Sequence, residues 1–488
     1  MSIAAPEWTV VESVRKELLI DGDWRPAESG HTLEVENPAT GEPLCTVADA
    51  GPGDAEAALA AADRHRHEWA ARAPRERGEI LRRAYEEIVE RTDELALLMT
   101  LEMGKTLAES KAEVAYAADF FRWFSEEAVR IEGSYAISPN GAGRMLTMRQ
   151  PVGTCLLITP WNFPLAMGAR KIAPAIAAGC TMVLKPARQT PLSSFALAEI
   201  LEGAGLPAGV LNVVCSSAAG SLIAPLITDR RVRKVSFTGS TEVGRLLVEQ
   251  SATQLLRSSM ELGGNAPFIV FADADLDAAV EGAVLAKIRN GGESCTAANR
   301  FLVEAEVEAE FSRRFAERLG RLRVGLGYEA GNEVGPLIDE AQLKTVEDLV
   351  ADAVAGGAKV LTGGSRIDGR GHFFRPTVLG GVPSAARILR EEVFGPVAPI
   401  VRFSGEEEAV RLANDTEFGL VAFVYTQSLD RAIRVAESVE TGMVGLNQGM
   451  VSNAAAPFGG IKSSGYGREG GHEGLAEYLE TKYVAVAS

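Results

Sequence analysis

The fold is decided by residues 154–185, which read TCLLITPWNFPLAMGARKIAPAIAAGCTMVLK. The run from Thr154 to Thr159 predicts a buried strand, and the run from Cys180 to Lys185 predicts another. Between them, Met167 to Ala178 has the composition and spacing of a buried helix. A strand, a helix and a strand in this order form the repeating unit of a parallel sheet that helices cover on both faces.

The same alternation continues along the chain. It runs on to Ala252, resumes after Gly264 and extends to about Asn447. This rhythm predicts an α/β protein with two doubly wound parallel sheets. The predicted elements are helices at Pro52–His67, Pro74–Met103, Lys105–Glu132, Ser193–Ala204, Ser221–Leu226, Thr241–Ala252, Asp275–Lys287 and Glu306–Leu322, and strands at Val210–Val214, Val232–Phe237, Pro267–Phe271 and Phe301–Glu304.

Two segments stand outside this rhythm. Residues Gly133 to Gln150 show little helical pattern and end in residues that alternate as a strand does. The chain ends in a second alternating run, Tyr483 to Ala487. These two runs can pair with each other, within one subunit or between two.

Composition and charge limit the function. The 488 residues are too many for one ordinary core, and the net charge of −17 repels phosphate backbones and anionic lipids. We therefore expect no nucleic-acid partner and no membrane partner. In such an acidic chain, an anionic substrate needs a local group of arginines.

The cysteines indicate the compartment. They are five in number, widely spread and without a CxxC pair, so we expect neither a disulfide framework nor a zinc site, and no other metal. The N-terminal residues carry charges without an apolar core, so they do not read as a signal peptide. Together these features predict a cytoplasmic protein.

One cysteine lies in a loop of small and polar residues, IRNGGESCTAANR, at positions 288–300. The glycine pair before Cys295 lets the backbone turn tightly, and Ser294, Thr296 and Ala297 leave the sulfur sterically open. This is the setting of a cysteine nucleophile. The alternative is a small loop cysteine without a chemical task, which is the commoner case when the stretch is taken alone.

Three further candidate sites follow, two at strand ends and one directly before the Leu-Gly-Gly turn at 262–264. In FTGST, residues 237–241, a strand leads into a helix whose N-terminus can bind a diphosphate, although an ordinary N-cap is the commoner role for these residues when the stretch is taken alone. Lys185 can bind a ribose or a phosphate, or can be a solvated lysine before a proline. Glu261 can act as a general base, or can lie at the surface. A GxGxxG match at residues 465–470 has no strand before it, so we reject it as a nucleotide-binding loop.

Seven motifs in a fixed order resemble those of the aldehyde dehydrogenase superfamily over nearly the whole chain. They are PWNFP (160–164), KPA (185–187), FTGST (237–241), ELGG (261–264), GESC (292–295), EVFGP (392–396) and PFGG (457–460). The resemblance implies a dinucleotide-binding domain of residues 1–130 and 151–262, a catalytic domain of residues 263–455, and oligomerisation elements at 131–150 and 465–488. It also implies a homodimer or a homotetramer.

The resemblance implies roles for individual residues. Cys295 attacks the aldehyde carbon, while the Asn162 side chain and the Cys295 main-chain N–H bind the developing oxyanion. Hydride transfer to a nicotinamide leaves a thioester, and Glu261 activates the water that hydrolyses it. The implied coenzyme contacts are Lys185 and Glu392 for the ribose groups, Ser240 for the diphosphate, Phe394 near the nicotinamide, and Trp161, Gly239 and Leu262 around them.

Within the superfamily, the closest resemblance is to succinate-semialdehyde dehydrogenases. Arg170, Arg289 and Ser452 match the residues that bind the substrate carboxylate in that group. Arginines suit a small aldehyde with a carboxylate tail, because a guanidinium group can form two parallel hydrogen bonds to a carboxylate. The alternative for each arginine is a structural salt bridge. The expected reaction is oxidation of succinate semialdehyde to succinate, with glutarate semialdehyde or another small aldehyde as the alternative substrate.

Two positions depart from the family pattern. Arg188 stands where many relatives have a glutamate or a small residue, and an arginine attracts the 2′-phosphate of NADP, which slightly favours NADP over NAD. Ala297 stands where some members have a second cysteine, so a disulfide with Cys295 at that spacing is excluded. Two other classes of protein stay open. One is a cysteine hydrolase that uses His372 or His472 and no nucleotide, and the other is a non-catalytic protein that has kept the fold.

Overall fold

The β-strands form the framework on which the candidate site is built. The structure is a computed structural model that describes residues 6–487. Within that range the strands, in chain order, are β1 Leu18–Ile20, β2 Asp23–Arg25, β3 Thr32–Asn37, β4 Glu42–Ala48, β5 Ser134–Ile137, β6 Gly143–Pro151, β7 Thr154–Ile158, β8 Met182–Lys185, β9 Leu211–Val213, β10 Val232–Thr238, β11 Arg257–Glu261, β12 Ala266–Val270, β13 Ala298–Glu304, β14 Lys359–Thr362, β15 Thr377–Gly380, β16 Val397–Phe403, β17 Phe418–Gly419, β18 Val421–Tyr425, β19 Met443–Leu446, β20 Ile461–Lys462, β21 Gly465–Tyr466 and β22 Leu479–Ala487.

Helices pack around these strands. In the same range they are α1 Pro6–Ser13, α2 Pro52–Ala71, α3 Pro74–Glu90, α4 Thr92–Met103, α5 Leu107–Glu127, α6 Ala166–Ala178, α7 Leu192–Gly203, α8 Ala219–Ile227, α9 Thr241–Ser251, α10 Leu276–Ile288, α11 Glu308–Gly320, α12 Glu340–Ala355, α13 Glu406–Asn414, α14 Leu429–Ser438 and α15 Gly471–Ala476. Among residues 6–487, none of the helices has the length and apolar content to cross a membrane.

The first large sheet contains the stretch that decides the fold. Its strand order is β2-β1-β9-β8-β7-β10-β11-β21. β7, α6 and β8 form the predicted strand–helix–strand unit, and Ile158 lies beside Lys185 where the two parallel strands end. β9, β10 and β11 continue the parallel core, while β1 and β21 join it antiparallel at its two sides. Every residue of β7 and β8 is buried, as expected of strands that are covered on both faces.

The helices before this sheet differ from the sequence prediction in one respect. The single helix predicted for Pro74–Met103 is wrong, because the structure divides it into α3 and α4. Arg91 leaves the helical conformation, with φ −91° and ψ 20°. Thr92 then begins a second helix whose first turn holds two acidic residues, where negative charge is favoured. The start of α5 is set by Thr106 and Glu109, which cap it with reciprocal hydrogen bonds.

The second large sheet supports the cysteine loop. Its order is β14-β15-β16-β13-β12-β18-β19, and its pairs are parallel apart from β14 with β15. β13 begins at Ala298, before the predicted start at Phe301, so the strand follows the cysteine loop almost directly. The rings of Phe268, Phe301 and Phe423 pack together in the core beside β12 and β13. The loop is therefore fixed to a central strand of a packed sheet.

A small third sheet lies apart from the two large ones, with the order β22-β6-β5. β22 pairs antiparallel with β6 over its whole length, so the two alternating runs pair within one chain. β21 belongs to the predicted oligomerisation tail but joins the first large sheet beside β11. Residues 1–5 of the predicted first domain and residue 488 of the predicted tail lie outside the described range. The limits and roles of the three predicted parts stay predictions.

Candidate active site

A cleft of about 280 Å³ lies between the two large sheets. β10 ends in it at Thr238 and β11 ends in it at Glu261, and the turn after β7 brings Asn162 to the same place. The carboxyl ends of parallel strands are where ligands bind in open α/β sheets. The cysteine loop adds Cys295 from the other side. The residues that line the cleft are Pro160, Trp161, Asn162, Met167, Thr238, Gly239, Ser240, Glu261, Leu262, Gly263, Cys295, Gln342, Thr345, Glu392 and Phe394.

The backbone of the cysteine loop turns sharply. α10 ends at Ile288, and Asn290 and Gly291 then take left-handed conformations, with φ of 59° and 62°. The turn brings the Cys295 carbonyl close to Gly264, where an added Cβ would lie only 2.3 Å from that oxygen. Glycine at this position therefore lets the Glu-Leu-Gly-Gly turn pack against the loop. The Cys295 residue itself remains partly exposed.

The Cys295 thiol is a weak acid in this environment. Burial raises its pKa to about 12, Arg170 and Arg289 oppose the shift, and Glu392 and Glu261 add to it. A thiol with such a pKa is ionised to only about one part in 10⁵ at pH 7. Cys295 must therefore lose its proton to a base as it reacts.

Glu261 is a candidate for that base. It is 3% exposed and lines the cleft together with Cys295. Neither of its carboxyl oxygens has a hydrogen-bond partner within residues 6–487. Burial raises the pKa of Glu261 well above its ordinary value, and Glu469 adds to the shift, while Arg170 and Lys171 oppose it. A carboxylate in this setting takes up a proton readily.

The side chain of Asn162 lies in the same cleft. Its Nδ2 donates a hydrogen bond to the Glu293 carbonyl oxygen at 3.0 Å. An amide nitrogen carries two hydrogens, so a second one remains for a ligand. The main-chain carbonyl oxygen of Asn162 accepts hydrogen bonds from Lys105 Nζ at 2.7 Å and from Asn290 Nδ2 at 2.9 Å. The site thus has a fixed side-chain donor, as stabilisation of an oxyanion requires.

The two candidate substrate arginines differ in their partners. Arg289 Nη1 donates to Ser452 Oγ at 3.1 Å, so two of the three predicted carboxylate ligands lie together. The Arg289 guanidinium also lies 4.9 Å from the centre of the Phe163 ring. Arg170 is 2% exposed and forms an ion pair with Glu469, with Nη2 2.7 Å from Oε2. For Arg170, the structure thus contains the salt bridge that is the alternative to substrate binding.

Lys185, Arg188 and Ser240 lie on the side of the first sheet. Lys185 is the last residue of β8 and is buried. Burial lowers the pKa of its ammonium group; Cys215 opposes this shift and Arg188 adds to it. Arg188 is exposed, and neither it nor Lys185 lines the cleft. Ser240 caps α9, since its Oγ accepts a hydrogen bond from the Val243 N–H at 3.4 Å. The capping alternative is therefore present, and it leaves other N–H groups of the first turn open to a phosphate.

Three further residues that line the cleft are Trp161, Glu392 and Phe394. The rings of Trp161 and Phe394 meet edge to face, with centroids 5.3 Å apart. Glu392 Oε1 accepts a hydrogen bond from the Gly264 N–H at 3.1 Å, and burial raises the Glu392 pKa to about 7. Thr238 Oγ1 is buried without a partner within the part of the chain that the structure describes. Aromatic rings, a carboxylate and an unused hydroxyl around one cleft fit a nicotinamide ribose.

Sequence reasoning misses some residues around the site. Gln342 and Thr345 line the cleft from α12. The start of α12 is readable from its cap Asp339, but nothing in the local pattern indicates that this helix borders the cleft. Glu469 lies inside the rejected GxGxxG match, and only the folded chain brings it to Arg170.

Comparison with known proteins identifies the family. The family model described as "Aldehyde dehydrogenase family" matches residues 24–484. The chain is 57% identical over 444 residues to a succinate-semialdehyde dehydrogenase of Paenarthrobacter nicotinovorans, over 91% of this chain and 99% of that protein. It is 50% identical over 473 residues to a glutarate-semialdehyde dehydrogenase of Pseudomonas putida, over 97% of this chain and 98% of that protein.

A solved structure agrees in fold. The crystal structure of an NADP-dependent enzyme from E. coli matches with a TM-score of 0.96 and 49% sequence identity, over 98% of this chain and 99% of that one. The predicted α/β fold with two large sheets is thereby confirmed. With a family match over most of its length and relatives of this similarity, the chain belongs to the aldehyde dehydrogenase family.

Proposed function

We propose that this family member oxidises succinate semialdehyde to succinate with NADP or NAD, through a thioester on Cys295. The observation that carries the proposal is the hydrogen bond from Arg289 to Ser452 at 3.1 Å, because Arg289 lies in the cysteine loop itself, six residues before Cys295. A chain with a net charge of −17 thus has a cationic group held by a hydrogen bond in the loop of its candidate nucleophile, as an anionic aldehyde requires. The relative named for succinate semialdehyde, 57% identical, supports the same substrate.

The first half of the reaction acylates Cys295. As the sulfur attacks the aldehyde carbon, the thiol proton passes to the Glu261 carboxylate, whose raised pKa makes it a better base. The Asn162 amide and the Cys295 main-chain N–H bind the oxygen that becomes negative. Each such donor typically contributes about 3 kcal/mol to the transition state. The nicotinamide coenzyme supplies, when bound, the hydride acceptor that converts the adduct into a thioester.

The second half releases the acid. Glu261 first releases the thiol proton to bulk solvent, and then accepts a proton from the water that attacks the thioester carbon. The carbon–sulfur bond then breaks, the acid leaves, and the Cys295 sulfur takes the proton back from Glu261, which returns to the carboxylate. Because one carboxyl group serves both halves, its raised pKa favours proton uptake from the thiol and slows the return to the carboxylate.

The coenzyme residues are proposed from the family motifs, and all of them except Lys185 and Arg188 also line the cleft. Lys185 and Glu392 are proposed to hold the ribose hydroxyls, and Ser240 with the first turn of α9 to hold the diphosphate. Arg188 is exposed, so it is free to meet the 2′-phosphate of NADP. The NADP-dependent enzyme of 49% identity supports that preference. The remaining proposed contacts are Trp161, Gly239, Leu262 and Phe394.

The substrate carboxylate is assigned mainly to Arg289 and Ser452. Arg170 already has the Glu469 carboxylate as its ion-pair partner at 2.7 Å, so its charge is compensated within the chain, although its Nε and Nη2 have no hydrogen-bond partner among residues 6–487. Glutarate semialdehyde is the second candidate substrate, because a relative named for it is 50% identical over nearly the whole chain. One extra methylene group changes transition-state binding by only about 1 to 3 kcal/mol, so one cationic site can accept both lengths.

The alternative of a cysteine hydrolase requires His372 or His472 as the base that takes the proton from Cys295, and both histidines pair with glutamates instead. His372 Nε2 lies 2.5 Å from Glu36 Oε1, and His472 Nδ1 lies 2.9 Å from Glu127 Oε2. The largest effects of charged groups on the Cys295 pKa come from two arginines and two glutamates. A hydrolase that depends on a histidine beside the sulfur is therefore not supported.

A homodimer or homotetramer is proposed on the third sheet. Tyr135 and Ile137 on β5 are 64% and 66% exposed, and Tyr483 on β22 is 61% exposed. Exposed apolar side chains on edge strands are typical of surfaces that pair with another chain. The cytoplasm stays the predicted location, since all five cysteines, each within residues 6–487, are free thiols.

The proposed substrate is tested with three aldehydes. Succinate semialdehyde, glutarate semialdehyde and butyraldehyde are compared by kcat/KM from the formation of NADPH. We expect the two carboxylated aldehydes to be preferred, with succinate semialdehyde first. Equal or faster turnover of butyraldehyde would remove the assigned substrate while leaving aldehyde oxidation in place.

A further inference from the structure

We propose that Asn290 is a positioning residue that clamps the oxyanion site, holding Asn162 and the turn before Cys295 in one arrangement. This inference rests on the proposed role of Asn162 as an oxyanion donor. Asn290 lies in the turn Arg289–Gly292, is 2% exposed and does not line the cleft. It therefore acts on the reaction only through the residues it holds.

One nitrogen atom joins the two loops. Asn290 Nδ2 donates hydrogen bonds to two main-chain carbonyl oxygens, those of Asn162 and Glu293, each at 2.9 Å. The same Glu293 oxygen accepts the hydrogen bond from Asn162 Nδ2 at 3.0 Å. The main chain and the side chain of Asn162 are thus both tied to the turn that leads to Cys295.

The neighbours of the Asn290 amide dictate its orientation. Two carbonyl oxygens face it, and a carbonyl oxygen can only accept hydrogen bonds. The nitrogen must therefore point at them, which leaves Asn290 Oδ1 buried without a partner among residues 6–487. An unpaired buried acceptor is unfavourable. The two hydrogen bonds from the Asn290 nitrogen are therefore made although the oxygen of the same amide group has none.

The backbone at Asn290 limits which residues fit. Its φ of 59° and ψ of 38° are left-handed, a conformation that glycine adopts freely and that asparagine and aspartate tolerate better than other residues. Glycine keeps this backbone and removes the clamp. Aspartate keeps the backbone and the shape of the side chain, but turns a carboxylate towards two carbonyl oxygens. These substitutions separate hydrogen bonding from packing.

Lys105 keeps the loop in place when Asn290 is changed. Its Nζ donates to the Asn162 carbonyl oxygen at 2.7 Å and pairs with the buried Glu113. Glu113 Oε1 in turn accepts hydrogen bonds from two N–H groups at the start of α6, each at 3.1 Å. A variant at Asn290 therefore loosens the oxyanion site while the main chain of Asn162 remains anchored.

The test compares Asn290→Gly with Asn290→Asp. We expect kcat to fall about 10- to 100-fold in Asn290→Gly, because small displacements of a catalytic group have effects of this size. We expect a larger fall in kcat in Asn290→Asp. The KM for the coenzyme should be unchanged in Asn290→Gly. A residue that only fills space predicts the reverse order, since aspartate has the shape of asparagine and glycine does not. The reverse order, or an unchanged kcat in both variants, would overturn the proposal.

Alkylation of Cys295 by iodoacetamide gives a second readout. This reaction forms no oxyanion, so its rate in Asn290→Gly should stay within about threefold of wild type, while ester hydrolysis through the same sulfur falls with kcat. Equal losses in both reactions would mean a displaced sulfur and would overturn the proposal. Failure of both Asn290 variants to fold would also overturn it, because the residue would then act on folding.

Asn162→Ala separates this inference from the proposed function. If Asn162→Ala leaves kcat unchanged, the role of Asn162 as an oxyanion donor is wrong, and the inference falls with it. If Asn162→Ala lowers kcat and Asn290→Gly does not, only the inference about Asn290 is wrong.

Discussion

Replacing Arg289 with glutamine removes the charge of the proposed carboxylate site and keeps a polar side chain beside Ser452. At a separation of about 4 Å and an effective dielectric constant of about 20, a carboxylate and a guanidinium attract each other by about 4 kcal/mol. Truncating one partner of a buried charge pair costs about 2 to 5 kcal/mol. Arg289 is only partly buried, so we expect about 3 kcal/mol, or roughly a 150-fold loss in kcat/KM for succinate semialdehyde.

The assay is kcat/KM from reduced nicotinamide formation with succinate semialdehyde and with butyraldehyde. Butyraldehyde has no carboxylate, so its kcat/KM should change by less than about threefold in Arg289→Gln. Ser452→Ala is the matched control, because it removes one neutral partner and should cost about 1 kcal/mol, or about fivefold. Equal losses on both aldehydes in Arg289→Gln would refute a carboxylate site at Arg289.

Three further predictions concern the nucleophile, the base and the coenzyme. Cys295→Ala should abolish hydride transfer while coenzyme binding, followed by fluorescence titration, is retained; undiminished turnover would exclude the sulfur as the nucleophile. Glu261→Gln should stall the cycle, and an unchanged rate in this variant would exclude Glu261 as the base. In the wild-type enzyme the rate should fall as the pH drops through the raised Glu261 pKa, because the protonated acid cannot accept a proton from water. Arg188→Ala should raise the KM for NADP about fivefold and leave that for NAD unchanged, since an exposed charge pair contributes up to about 1 kcal/mol; equal effects on the two coenzymes would exclude a contact with the 2′-phosphate.

The repeating units of this fold were readable because their physics is local. The apolar strands at Thr154 and Cys180 and the helix between them follow from periodicity, and β7, α6 and β8 lie close to the predicted limits. The prediction missed the break at Arg91, although Thr92 and the two acidic residues after it are typical of a helix start. The chain leaves the helical conformation at one residue only, and the apolar spacing continues across it.

The candidate site was predicted from seven family motifs in a fixed order, because most of its residues, taken alone, had a structural explanation that was at least as likely. Asn162, Glu261 and Cys295 come together because they follow strands and a helix that converge on one cleft. What the sequence does not give is the choice between alternatives that depend on distant residues. Arg170 and Arg289 are equivalent candidates in the sequence, and only the folded chain brings Glu469 to one of them and Ser452 to the other.

The account is tested most directly by the formation of reduced nicotinamide from succinate semialdehyde, measured with NADP and NAD separately and with butyraldehyde as the uncharged control. The account predicts efficient turnover of succinate semialdehyde, a strong preference for it over butyraldehyde, and a modest preference for NADP. Equal or better turnover of butyraldehyde would contradict the site at Arg289 and Ser452. Absence of reduced nicotinamide with every aldehyde would contradict the thioester chemistry assigned to Cys295.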